Sequence, residues 1–187
     1  MSIGANWGAT PEERAMTLAC DQLLPCASVR LHRAVTVAAP AATVFRWLCQ
    51  LKLAPYSYDL LDNFGRRSPR ELTPGAERLR EGQRFMSIFS LACFAEDQHI
   101  TLRSRRTAVS YATLERDGET RLLARVLFEA PGTGLPAALT GRALALGDLL
   151  MMRKQLLSIA ALAERDAARA LQPESSRSAP FSPRSRS

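Results

Sequence analysis

The chain has 187 residues, of which 47% are hydrophobic and 23% charged, a composition typical of one globular domain and unlike that of disordered chains. A formal net charge of +7 would suit a nucleic acid or an acidic membrane. The arginines are scattered, however, and no recognition motif accompanies them, so we expect no specific nucleic-acid partner.

The first 29 residues predict an N-terminal arm that is partly helical. Pro11–Leu24 has helical spacing of its apolar residues, and Thr10 stands before it as at a helix start. Arg30–Ala39 then alternates as a strand does. One side would carry Leu31, Arg33, Val35 and Val37, and the other His32, Ala34 and Thr36.

Two short helices are predicted after this strand, over residues 41–51 and 58–63. The pattern then changes to strands. Residues 85–94 are apolar on both faces, as in a strand buried between two layers. Residues 109–114 and 122–128 flank an Asp-Gly pair, which is a strong hairpin signal. These segments predict an antiparallel meander.

A long amphipathic helix is predicted from about Pro136 to Leu171. Its apolar stripe would contain Leu149, Met152, Leu156, Ile159, Ala160, Ala163 and Ala167. Residues 172–187, rich in serine, proline and arginine, predict a disordered tail. The sequence therefore predicts an arm over 1–29, an α+β domain over 30–171 in which a curved antiparallel sheet wraps the C-terminal helix, and the tail.

The composition also bears on cofactors and location. The four cysteines lack the paired spacing of metal or redox sites, and two histidines cannot form a multi-histidine site. We therefore expect neither a metal nor another cofactor. Residues 1–17 do not resemble a signal peptide, and no run of about 20 apolar residues could span a bilayer. These features predict a cytoplasmic protein with free thiols.

Several segments together resemble the START-like or SRPBCC superfamily. They are Val44–Leu51, Ala54–Asn63, Gly65–Pro69, Gly82–Met86 and Gly147–Leu156, and the resemblance covers about residues 30–165. It implies the helix-grip fold, with a cavity between the sheet and the C-terminal helix and a ligand that is usually apolar. Members of the superfamily include lipid and hormone carriers and polyketide cyclases, so the fold does not choose an activity. No catalytic residue set is carried over.

One candidate constellation lies in the second predicted helix. Asp59, Asp62 and Asn63 are spaced i, i+3 and i+4, which would place two carboxylates and an amide on one face. Such a pair could divide the roles of general acid and base. The alternative is a structural cluster, in which the carboxylates favour the helix start and pair with Arg66 and Arg67.

Three further polar residues could orient a ligand. Tyr56 or Tyr58 could donate a hydrogen bond to a carbonyl oxygen, or could simply pack in the core. Arg153 lies near the apolar stripe, where its guanidinium could bind a carboxylate. It could instead pair with Asp148 or Asp59.

Aromatic residues, among them Trp47 and Phe89, supply enough apolar area for a pocket, although they would equally fill a packed core. The leading prediction is a module that binds a small hydrophobic molecule, oriented by Tyr56, Tyr58 and Arg153. The first alternative is a cyclase or dehydratase whose proton shuttle is Asp59 or Asp62. The second is an interaction protein whose basic tail binds an acidic partner.

Overall fold

A computed structural model describes residues 4–57, 68–116, 118–129 and 135–172, the last range without the side chains of 135–145. Within this part of the chain, seven strands form one sheet. The strands are β1 (Asn6–Trp7), β2 (Val29–Val37), β3 (Arg84–Phe85), β4 (Phe89–Ala95), β5 (His99–Arg103), β6 (Thr107–Arg116) and β7 (Glu119–Phe128). Their spatial order is β1-β2-β7-β6-β5-β4-β3.

The sheet is antiparallel except at one edge, where the short β1 runs parallel to β2. The hairpin of β6 and β7 is its centre, with ten residues in each strand. Gly118 follows β6 with a φ of 81°, a conformation that glycine adopts without strain. The predicted hairpin is confirmed; β6 extends beyond its predicted segment at both ends, and β7 begins three residues earlier than predicted and ends at the predicted Phe128.

One predicted strand is wrong. Residues 85–94 do not form a single strand, because Met86 and Ser87 have positive φ values of 45° and 64° and turn the chain. Phe85 consequently pairs with Phe89 across a tight hairpin that joins β3 to β4. Neither position holds glycine or asparagine, the residues that adopt a positive φ most readily, so the sequence does not mark this turn.

The helices complete the architecture. In chain order they are α1 (Pro11–Ala15), α2 (Ala19–Leu23), α3 (Ala41–Cys49) and α4 (Leu135–Leu171), with a 3-10 turn over Gln50–Lys52. The predicted helix over 41–51 and the long C-terminal helix are confirmed. The predicted helix over 58–63 lies outside the described residues. None of the helices in the described part of the chain is long and apolar enough to cross a membrane.

The main core lies between one face of the sheet, α3 and α4. The predicted stripe of α4 supplies Met152, Leu156, Ile159, Ala160 and Ala163, all of which are buried. Each large apolar side chain buried in this way contributes about 1.5–3 kcal/mol. A curved sheet that grips a long C-terminal helix is the helix-grip fold, so the fold class that the sequence and its resemblance implied is confirmed.

The N-terminal segment covers the opposite face of the sheet. It forms two short helices rather than one continuous helix over 11–24. Cys20 and Leu24, from α2 and the residue after it, pack against Ala108 and Leu127 of the sheet. The division into arm, domain and tail stays a prediction, and residues 173–187 lie outside the described part.

Two arginines of β7 hold this segment in place. Arg121 binds both carboxylate oxygens of Glu13 at 2.8 Å, a bidentate pair. Arg125 donates to the carbonyl oxygens of Met16 and Arg14, at 2.8 and 3.0 Å, and also binds the carboxylate of Asp21. The N-terminal segment is therefore attached to the outer face of the sheet by both polar and apolar contacts.

Candidate functional site

A cavity of about 730 Å³ lies between the inner face of the sheet and α4. Its size is within the range typical of small-molecule pockets. The strands contribute alternate residues because every second side chain of a strand points to the same face. The apolar part of the lining includes Met86, Ile88, Phe89, Val109, Val126, Phe128, Met151 and Met152.

A buried pair of polar side chains lies in this lining. The hydroxyl of Tyr111 donates to Oε1 of Gln155 at 2.6 Å, and Nε2 of Gln155 donates to the carbonyl oxygen of Pro55 at 2.5 Å. Since a carbonyl only accepts, these two contacts fix the orientation of the amide. Burial raises the pKa of Tyr111, so the phenol stays protonated and its oxygen remains available as an acceptor.

A second polar group of the lining is Asp148, near the start of the part of α4 whose side chains the structure describes. One carboxylate oxygen of Asp148 lies 2.9 Å from an Nη atom of Arg33, whose side chain is fully buried. The same guanidinium donates to the carbonyl oxygens of Ala5 at 3.1 Å and His32 at 2.9 Å. The pair therefore joins α4 to β2 and to the segment leading into β1.

The protonation of Asp148 depends on two opposed effects. Burial raises the pKa of its carboxyl to about 6, whereas Arg33 acts to lower it. At neutral pH the group is mostly ionised but lies close to its pKa, so it can take up or release a proton readily. It borders the cavity and is 9% exposed. No other aspartate or glutamate is part of the described lining of the cavity.

The two polar positions of the helix share one face of α4. Asp148, Met152 and Gln155 are separated by four and three residues, which is the spacing of a helical stripe. At 1.5 Å per residue, Asp148 and Gln155 are about 10 Å apart along the helix axis. A ligand in the cavity would therefore meet polar groups at two separate points of an otherwise apolar wall.

The structure separates the aromatic residues that the sequence singled out. Phe89 lines the cavity. Trp47 and Tyr56 instead meet edge to face in the core, with ring centroids 5.9 Å apart at 82°. The indole of Trp47 donates to Asp166 at 3.1 Å. Neither of these two residues is part of the described lining.

Arg153 lies on the exposed side of α4, outside the cavity lining. Its guanidinium lies 5.5 Å from the ring centre of Trp7 in a cation–π arrangement. The predicted partner Asp148 binds Arg33 instead. Tyr58, Asp59 and Asp62 lie outside the described residues, so their proposed roles stay predictions.

The polar residues of the cavity were missed in the sequence, yet three of them carried a signal. Arg33 shares one side of its strand with Leu31, Val35 and Val37, and Asp148 and Gln155 border the apolar stripe of α4. A charged or amide group on an otherwise apolar face indicates a buried pair or a site, because burying it alone is costly. Tyr111 gave no comparable signal, since a tyrosine in a central strand is ordinary.

The described residues contain no group of three or more histidine, cysteine, aspartate or glutamate side chains that could hold a metal ion. No family model matches the chain, and neither does any curated protein.

Several solved structures are similar to this chain at low sequence identity. A hypothetical protein from Helicobacter pylori is 11% identical, with a TM-score of 0.49, and the match covers 80% of this chain and 96% of that one. The Zhui aromatase/cyclase from a Streptomyces species is 14% identical, with a TM-score of 0.40 over 76% and 95%. The self-sacrificing resistance protein CalC from Micromonospora echinospora is 14% identical, with a TM-score of 0.39 over 75% and 95%. At these values the likenesses carry no argument about activity.

Proposed function

We propose that this domain binds a small, uncharged, hydroxyl-bearing hydrophobic molecule in the cavity between the sheet and α4. The observation that carries the proposal is an apolar wall interrupted at two points by polar groups that are themselves held in place by buried partners. A cytoplasmic location, where the thiols stay reduced, is part of the proposal.

The apolar wall supplies the driving force for binding. A ligand that transfers about 200 Å² of apolar surface from water into the cavity gains about 5 kcal/mol before the entropic cost of association. Methionines supply part of this wall at Met86, Met151 and Met152. Their flexible thioethers adapt to ligand shape, so we expect tolerance toward several related apolar skeletons.

The polar groups select the ligand's functional group. An ionised Asp148 only accepts hydrogen bonds, and the proton of Tyr111 is already donated to Gln155. Both positions therefore favour a donor such as a hydroxyl on the ligand. A ligand carboxylate next to Asp148 would meet a like charge with little water to screen it. The site should thus prefer alcohols and phenols to free acids.

Filling the cavity tests the proposal. Val109 is buried in the cavity wall, and Val109→Phe should block the cavity and weaken binding of the uncharged fluorescent probe N-phenylnaphthylamine at least tenfold. Val35→Phe is the matched control, because Val35 packs on the core but is not part of the lining. Equal probe affinity for wild type and Val109→Phe would overturn the proposal.

A second candidate function is acid–base catalysis on an enolisable ketone, favoured by the carboxylate of Asp148 in an apolar setting. Removal of a proton from the carbon next to the carbonyl would protonate Asp148 and leave an enolate, which the same group could reprotonate. Wild type should accelerate hydrogen–deuterium exchange of aryl methyl ketones in D₂O, and Asp148→Asn should not. Exchange at the uncatalysed rate with wild type would leave binding as the sole function.

A further inference from the structure

The tip of the hairpin between β3 and β4 projects an apolar side chain into solvent. Ile88 is 72% exposed, and it follows two residues whose positive φ values shape the turn. Single exposed apolar residues are common on protein surfaces. Ile88 differs because it also lines the mouth of the cavity, as does Met151 of α4, which is itself 40% exposed. Leu150, the residue before Met151 in α4, is 62% exposed.

A groove of about 620 Å³ lies on the other side of this hairpin. Arg84 of β3 and Arg103 of β5 both pair in register with Ser90 of β4, so the three side chains form a row on the outer face of the sheet. Arg105 lines the same groove. The small serine leaves space between the two flanking guanidiniums.

These three arginines, which we call the hairpin arginines, form no ion pair with any residue that the structure describes. Arg106 is left out of this group, because the backbone of Glu129 binds its carbonyl oxygen at 3.0 Å and brings a carboxylate-bearing residue beside it. Ser87, Ile88 and Phe89 line both the groove and the cavity. The hairpin tip thus separates a cationic groove from an apolar mouth by a few residues.

We propose that the hairpin tip and the hairpin arginines dock this protein on an anionic lipid membrane, with the mouth of the cavity facing the bilayer. Ile88 would enter the apolar boundary of the bilayer, and the guanidiniums would bind lipid phosphates, for which their planar fork is well suited. The docking surface does not depend on what the cavity binds. It would allow an apolar ligand to pass between bilayer and cavity without crossing water.

Charge favours the membrane over a second copy of the chain. A symmetric dimer formed through this face would bring two sets of hairpin arginines together, and like charges at a closed interface are costly. An anionic bilayer instead attracts each basic residue close to its surface, by about fivefold in affinity per residue. The formal net charge of +7 adds a general attraction of the same sign.

The test is flotation of the full-length protein with vesicles of phosphatidylcholine alone or mixed with phosphatidylglycerol. Wild type should float with the anionic vesicles and not with the neutral ones, and added salt should release it. Arg84→Gln/Arg103→Gln should bind the anionic vesicles about twenty-five-fold more weakly, given about fivefold per arginine. Ile88→Ser should lower affinity further by removing the apolar insertion.

Matched variants separate the surface from general charge. Arg78→Gln/Arg116→Gln removes two exposed arginines outside the groove, and Leu171→Ser removes an apolar residue at the far end of α4. Both control variants should float like wild type, and thermal unfolding should show that every variant is folded. Equal losses in control and groove variants would overturn the proposal, as would absence of wild-type flotation. A dimer that Ile88→Ser converts to monomer would also overturn it, by assigning the tip to self-association.

Discussion

The buried pair of Arg33 and Asp148 offers a sharp test of how the cavity is held together. Neither side chain can be removed alone without leaving its partner in a poorly solvated place. Arg33 is fully buried and Asp148 is 9% exposed, with 2.9 Å between the charged atoms. We expect Arg33→Met and Asp148→Leu each to lower the free energy of unfolding by about 3–5 kcal/mol at neutral pH.

The two single variants should differ in a defined direction. Arg33→Met leaves the carboxyl of Asp148, whose pKa is already raised by burial, so this carboxyl can become neutral by taking up a proton. Asp148→Leu leaves a guanidinium that cannot lose its proton. Its cost should therefore lie at the upper end of the range. The double variant replaces both charges with apolar groups and should lie within about 1 kcal/mol of wild type.

Urea unfolding of the four proteins gives the coupling energy as a double-mutant cycle. The exposed pair of Arg169 and Glu71, 3.2 Å apart, is the control, and Glu71→Gln should cost at most about 1 kcal/mol. Additive single and double variants would refute the reasoning, because they would show that Arg33 and Asp148 do not compensate each other. Single variants as stable as wild type would show that the pair is hydrated.

The other predictions concern pH and the N-terminal segment. Because the folded-state pKa of Asp148 is raised from 3.8 to about 6, its contribution to stability is present at low pH and is lost as pH rises through that window, by up to about 3 kcal/mol relative to Asp148→Asn. Protonated Asp148 and asparagine both keep an acceptor oxygen for Arg33, which the leucine of Asp148→Leu lacks. His32 acts in the opposite sense: burial lowers its pKa to about 4, so wild type should lose stability relative to His32→Gln as pH falls below about 6.5. Urea unfolding of each variant against pH separates the two effects. In thermal unfolding, Gly8→Ala should be clearly more destabilising than Gly82→Ala. Both glycines have positive φ, but an added Cβ at Gly8 would lie 2.2 Å from the carbonyl oxygen of Ala34, whereas one at Gly82 would meet no atom within 4 Å. Equal losses of stability in the two variants would show that the N-terminal segment is not held at Gly8.

The fold was largely predictable because its apolar residues repeat with the period of each element. The stripe of α4 from Met152 to Ala163 has helical spacing, and the strands around Gly118 alternate. The hairpin at Met86 and Ser87 was not predictable in this way. Its turn depends on positive φ values at residues that do not favour them, which tertiary packing imposes and no local pattern shows.

The site was less predictable than the fold. Periodicity shows that Asp148 and Gln155 border an apolar face, but their partners Arg33 and Tyr111 are more than 40 residues distant in sequence. Only the pairing of β2 and β6 with the rest of the sheet brings them to α4. Arg153 also borders the stripe, yet its guanidinium lies over the ring of Trp7 and outside the cavity lining.

The proposed docking surface could not be predicted from the sequence. The sequence offers no sign that Ile88 lies at a hairpin tip or that Arg84 and Arg103 flank one serine. Both facts follow from strand register, which depends on the unpredicted turn. A one-residue change of register would move these arginines to the other face of the sheet. The docking surface is therefore a property of the fold rather than of a motif.

The central claim, that the cavity holds a small apolar molecule, is tested most directly by native mass spectrometry of the protein purified from its own host, followed by extraction and identification of any bound compound. Wild type and Val35→Phe should carry one hydrophobic, hydroxyl-bearing molecule per chain, and Val109→Phe should carry none. Ligand-free spectra for all three proteins, with no stabilisation of wild type by a panel of apolar alcohols and phenols, would contradict the account.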